Sequence, residues 1–181
     1  AGTVDGVEYL DEKGDKKTQD GVIVVDSTTT TWGNGWYVVN GTVRIDSRIN
    51  TGSDVHLILA DGCQLTASEG INVNANRSLT IYGQDGTSGA IGKLSATGGR
   101  SYAGIGSGQG SNSGTITING GDINAAGGYC AAGIGGGGDW NGDSNNPGGN
   151  VGAITINGGI VKAEGGYRGA GIGGGNMKPS S

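Results

Sequence analysis

Short stretches in which apolar and polar residues alternate recur along the chain, and most of them end in glycine. Ile116-Thr117-Ile118 and Ile154-Thr155-Ile156 read as strands that send every second side chain into a core. A Gly-Gly corner follows, and then a second segment with a large-x-small pair: Leu65/Ala67, Leu94/Ala96, Ile123/Ala125 and Val161/Ala163. A further Gly-Gly precedes a third segment, centred on Ala103/Ile105, Ala132/Ile134 and Ala170/Ile172. Three short strands with glycine corners are thus expected in each unit, and no stretch carries helical periodicity.

The units repeat. Residues 114–137 and 152–175 share 17 of 24 residues at an offset of 38. Looser copies run upstream as GKLSATGGRSYAGIGSG (92–108), SLTIYG (78–83), VHLILADGCQLTASEGI (55–71) and TVRIDSRI (42–49). Repeats of this length signal a solenoid, propeller or array. A propeller needs four strands per blade and a recurring aromatic motif, which these units lack. The pattern therefore predicts an all-β, right-handed parallel β-helix of about five coils over residues 37–175. Residues 1–36 form an N-terminal strand and cap segment, and 176–181 a polar tail. Within the first segment a strand, a polar turn around Gly14-Asp15 in the charged stretch at 10–20, and another strand leading into the first coil are expected. Val22 to Val25, with Trp32, Trp36 and Tyr37, are expected to cover the open apolar end.

Composition changes the picture in one respect. Gly contributes 43 of 181 residues and Phe none, while Val, Ile and Leu together make 34. Such a chain cannot fill a thick core, but a solenoid fills a thin one layer by layer. Of the glycines, 33 fall between Gly83 and Gly175, largely at matching corners of the units. The net charge of −5 argues against nucleic acid as a partner, and no apolar run reaches the length of a membrane span. The chain reads as a mature or excised fragment. Cys63 and Cys130 lack metal-ligand spacing and are expected to be free or buried thiols.

The string TTTTWGNGWYVVNGTVRIDSRI, VHLILADGCQLTASEGINV, SLTIYGQ and the repeated TITINGG and AGIGGG resembles the β-helical domains of bacterial cell-surface and secreted proteins, often labelled carbohydrate-binding or adhesin-like. The resemblance covers roughly residues 21–175. It implies an extracellular, secreted or surface-attached module of a longer chain, whose partners are other domains of that chain and a glycan or host-cell polysaccharide. It brings no set of catalytic residues.

Candidate chemistry gathers in the longest insertion, residues 138–152, since long loops at one edge of a repeat scaffold commonly carry binding. Trp140 there offers a flat apolar face for a sugar ring, with Asp139, Asn141 and Asp143 as partners for hydroxyls. Tyr129 and Tyr167 occupy one register of successive copies, with Arg100 in the third, as either a surface ladder or part of the platform. Asp139, Asn141, Asp143 and Asn145 alternate like the first ligands of a calcium loop. The positions expecting Gly and a bidentate Glu hold Ser144 and Asn150, so a plain Asx-rich turn competes. Calcium is the one cofactor considered.

Other readings have less to stand on. The G-x-G-x-x-G strings at 133–138 and 169–174 open no helix and precede no Lys-Ser/Thr, so they are read as corners. His56 is read as a solvated surface residue. On the wall formed by the second segments, the outward files run Gln64, Lys93, Asp122, Ile160 and Thr66, Ser95, Asn124, Lys162, with no carboxylate pair for glycoside hydrolysis. Files of Arg44, Ile58, Thr80, Thr117, Thr155 and of Asp46, Ala60, Tyr82, Asn119, Asn157 are too irregular for an ice-binding wall. The leading expectation is a non-catalytic extracellular module that binds carbohydrate. A stalk without its own ligand is second, and a polysaccharide-processing enzyme third.

Overall fold

A computed structural model describes residues 1–141 and 147–177. The chain opens with β1 (Thr3–Val4), β2 (Val7–Leu10), β3 (Lys16–Gln19), β4 (Val22–Val24) and β5 (Thr31–Trp32). Five three-strand coils follow. The first is β6 (Gly35–Val39), β7 (Thr42–Ile45) and β8 (Ile49–Thr51), and the second is β9 (Val55–Leu59), β10 (Gln64–Ala67) and β11 (Ile71–Asn72). The third comprises β12 (Ser78–Tyr82), β13 (Lys93–Thr97) and β14 (Ile105–Gly106), and the fourth β15 (Thr115–Ile118), β16 (Asp122–Ala126) and β17 (Ile134–Gly135). The fifth is β18 (Ile154–Ile156), β19 (Ile160–Glu164) and β20 (Ile172–Gly173).

Equivalent strands of successive coils pair in parallel and build three walls, the first of which β1 extends at its edge by pairing antiparallel with β4. One has seven strands (β1-β4-β6-β9-β12-β15-β18), one has five (β7-β10-β13-β16-β19) and one has six (β5-β8-β11-β14-β17-β20). This is a parallel β-helix. Its core is a set of files running along the axis, one residue per coil. Leu65, Leu94, Ile123 and Val161 form one file, and Ile49, Ile71, Ile105, Ile134 and Ile172 another. Ala67, Ala96, Ala125 and Ala163 lie in a third, where a larger side chain would meet the isoleucines opposite.

Glycine is required where coils touch backbone to backbone. At Gly135 φ is +133°, and a Cβ would collide with the carbonyl of Gly173 in the next coil; Gly106 stands in the same relation to Gly135. Arg48, in the first coil, ties three coils together. Its Nη1 donates to the carbonyls of Glu69 (2.7 Å) and Ala103 (3.0 Å), and its Nη2 to those of Gly106 (3.0 Å) and Ser107 (3.2 Å). Desolvation lowers the pKa of this guanidinium to about 10.

The N-terminal end is closed. Val25 and Trp32 are buried in the main core; Trp32 donates its Nε1–H to the Thr29 carbonyl (2.9 Å) and stacks on Tyr37 at 5.6 Å. Val22, Val24 and Trp36 do not join this cap, because alternation along β4 and β6 directs them to the outer wall. There the β2–β3 hairpin folds sideways over the seven-stranded sheet, and Tyr9 packs on Trp36 (4.9 Å) and Tyr82 (4.8 Å). Val22, Val38, Ile58 and Tyr82 form a second, smaller core beneath it. Lys16 fastens the hairpin to Asp85 at 2.8 Å, and the Leu10 N–H donates to the Gly83 carbonyl at 3.0 Å.

His56 is correspondingly not a solvated residue. It stacks on Trp36 at 4.4 Å, its Nδ1 lies 2.9 Å from the Tyr82 hydroxyl, and its Nε2 lies 3.2 Å from Asp54. The files read across this wall are also corrected. Thr80 pairs with His56 rather than Ile58, Tyr82 pairs with Ile58 rather than Ala60, and Arg44 belongs to the five-stranded wall beside Thr66. A slip of two residues preserves the inward-outward alternation, so periodicity alone cannot detect it.

The opposite end differs. Ile156 and Ile172 of the last coil are 44% and 47% exposed, whereas their partners Ile118 and Ile134 are fully buried. Residues 178–181 of the expected polar tail lie outside the described residues.

Candidate functional site

The five-stranded wall leads into a corner that is built the same way in three successive coils. After β13, β16 and β19, two small residues precede a β-turn closed by the N–H of Tyr102 to Gly99 (3.0 Å), of Ala131 to Gly128 (2.9 Å) and of Gly169 to Gly166 (2.8 Å). The third residue of each turn has positive φ: Ser101 +64°, Cys130 +62° and Arg168 +65°. This is the pattern of a type II turn, which ordinarily takes glycine there, so each substitution of a larger residue costs on the order of 1 kcal/mol. The second residue of the turn points outward, and those residues are Arg100, Tyr129 and Tyr167.

Trp140 joins this file from the loop after β17. The chain is held at Asp139, which is 1% exposed and whose N–H donates to the Asn176 carbonyl at 2.8 Å. The Asp139 Oδ1 accepts from Gln109 Nε2 (3.1 Å) and from the Asn141 N–H (3.0 Å). Anchored in this way, the next residue lays its indole across the corner. Trp140 meets Tyr129 edge-on at 5.6 Å, and Tyr129 stacks on Tyr167 at 5.4 Å with the rings 17° from parallel. The Arg100 guanidinium lies 3.2 Å from the centre of the Trp140 ring, and that of Arg168 lies 5.5 Å from Tyr167. Tyr167 is 58% exposed. The outcome is an aromatic ledge flanked by two arginines.

The structure thus brings together Trp140, Tyr129 and Tyr167, which the sequence places 38 residues apart or in separate segments. Asp139 lies beneath the ledge as its anchor, and Asn141 is exposed beside it. Asp143 and Asn145, two of the four expected calcium ligands, lie outside the described residues. Sequence reasoning missed the stacking of Arg100 on Trp140, although the repeat register already placed Arg100 in the tyrosine file. It also missed Gln109, for which the Ser/Gly/Asn-rich stretch at 107–113 carries no signal.

A second concavity lies on the adjacent wall, a groove of about 470 Å³ lined by Gln64, Lys93, Ser95, Asp122, Asn124 and Lys162, among others. Here the outward files are those read from the sequence: Gln64, Lys93, Asp122 and Ile160 are in register, as are Thr66, Ser95, Asn124 and Lys162. Asp122 is the one carboxylate in the lining, and Lys162 pairs with Glu164 at 3.2 Å. Cys63 and Cys130 are both buried and free, and burial pushes the Cys63 thiol up to about 11.

The fold defines a β-helical repeat protein. A family model described as a β-helix repeat matches residues 116–138 and 154–176, which span the third-strand corners of the fourth and fifth coils and the residues of the ledge that those coils contribute. No curated protein and no solved structure matches the chain.

Proposed function

We propose that this chain is a non-catalytic extracellular module that binds carbohydrate on the ledge of Trp140, Tyr129 and Tyr167. The observation that supports this reading is the ledge itself. Three aromatic side chains from two coils and a loop meet on one outward corner, where the core does not need them. Aromatic faces with polar neighbours suit a sugar ring, whose C–H groups pack on the ring while its hydroxyls find directional partners. The ordered anchor at Asp139 also favours it, because a pre-positioned platform loses less entropy on binding.

A glycan panel tests the reading, run with the 181-residue chain, with and without calcium. Tyr167→Ala and Trp140→Ala are each expected to weaken a bound glycan about tenfold, which corresponds to about 1.4 kcal/mol. Loss of binding on chelation adds calcium, through the 139–145 loop, to the site. A stalk without its own ligand is the second reading, favoured by the unbroken register of the three walls, and it predicts that no glycan binds.

A further inference from the structure

Resting on the glycan reading above, we propose that the ledge selects saccharides that carry a carboxylate or sulfate group. The selectivity rests on Arg100 and Arg168. Each guanidinium lies against an aromatic ring of the ledge, and among the described residues neither forms an ion pair with a carboxylate. A guanidinium packed by its face leaves the N–H donors at its edge directed outward, and their fork matches a carboxylate or sulfate in two parallel hydrogen bonds. Stacking also fixes the group in place, so little side-chain freedom remains to be lost on binding.

The nearby acids are committed elsewhere. Asp139 is buried beneath the ledge with Gln109 as partner, Glu164 pairs with Lys162, and Glu69, whose carboxylate lies beside Gly99, acts electrostatically on the Arg48 guanidinium. The two arginine corners belong to the third and fifth coils, so they are separated along the axis by two steps of about 4.8 Å. This separation spans a disaccharide, with the stacked pair of Tyr129 and Tyr167 between the two corners. A linear glycan lying along the ledge would therefore place an acidic substituent at either end within reach of a guanidinium. The protein's net charge of −5 rules out long-range attraction of an anion, so the selectivity arises at contact and within a screening length.

Matched neutral, carboxylated and sulfated tetrasaccharides on gluco, galacto and manno backbones decide the matter by titration calorimetry. For at least one backbone, an acidic form is expected to bind ten times tighter than the neutral form or better. The double variant Arg100→Met, Arg168→Gln is expected to abolish that preference, and a circular dichroism spectrum and melting temperature that match the parent's show that the variant is folded. Preference for the carboxylated form alone identifies uronates, and for the sulfated form alone sulfated glycans; each supports the proposal. Neutral and acidic forms bound equally, or weakened equally by the double variant, overturn it while the glycan reading stands. Absence of binding to any form overturns both.

Discussion

Replacing Gly135 by Ala isolates what the backbone contact between coils contributes. Two effects combine there. The residue sits at φ +133°, where an L side chain is strained by about 1–3 kcal/mol. The new methyl group also collides with the Gly173 carbonyl, forcing the fourth and fifth coils apart where Gly136 donates to that carbonyl at 2.9 Å and Ile134 donates to Gly171 at 2.9 Å. Weakening two such bonds adds about 1–3 kcal/mol, at roughly 1 kcal/mol each with scatter. The expected loss is about 2–6 kcal/mol, which for a chain of this size lowers the melting temperature by on the order of 10 °C. Gly14→Ala is the control: φ there is +82°, but nothing lies within 4 Å of a Cβ, so only the strain of about 1–2 kcal/mol remains. Thermal and urea unfolding of both variants, followed by circular dichroism, gives the difference. If Gly135→Ala is no more destabilising than Gly14→Ala, close coil contact is not what demands glycine.

Two further outcomes are expected. Arg48→Met removes the guanidinium from four carbonyls of the second and third coils, of which those of Gly106 and Ser107 keep the N–H groups of Val73 and Ala103, and should destabilise by about 2–4 kcal/mol, since hydrogen bonds to charged groups are worth about 1.5–3 kcal/mol each less the desolvation they relieve; a urea midpoint within error of the parent's contradicts the stapling role. Burial raises Cys63 to about 11 and Tyr82 to about 12, so both are held neutral in the folded chain. Their stabilising effect is complete below the unfolded values, near 9 for the thiol and 10 for the phenol, and is lost as pH rises through the folded ones. Stability should fall between pH 9 and 12, with Cys63→Ala flattening the lower part of the fall; a stability profile flat across that window refutes it.

How much of this was legible in the sequence depended on how local each interaction is. The coils at 114–175 were readable, because near-identical copies set their own register and every glycine corner recurs. Upstream the copies diverge, and a two-residue slip misaligned Ile58 with Thr80 without disturbing the alternation. The turn at Gly14-Asp15 is legible, but not that Lys16–Gln19 pairs back on Val7–Leu10 instead of the chain leading straight into the first coil, nor where that hairpin packs. Tyr9 meets Trp36 and Tyr82, and nothing local to residue 9 announces partners that distant. The aromatic ledge was half legible: the tyrosine file follows from the repeat, whereas Trp140 reaches it only because Asp139 is pinned by Gln109 from the preceding coil.

A solenoid built from near-identical coils has a simple route to a change of length. The fourth and fifth coils pair residue on residue, Ile118 on Ile156 and Ile134 on Ile172, so a duplicated copy of that unit meets a surface already shaped for it. These two coils are also the most alike, with 17 of 24 residues in common, and resemblance fades toward the end sealed by Trp32 and Val25. Repetition thereby makes length an evolvable trait: the number of outward corners can grow by copying one 38-residue unit without redesigning the core.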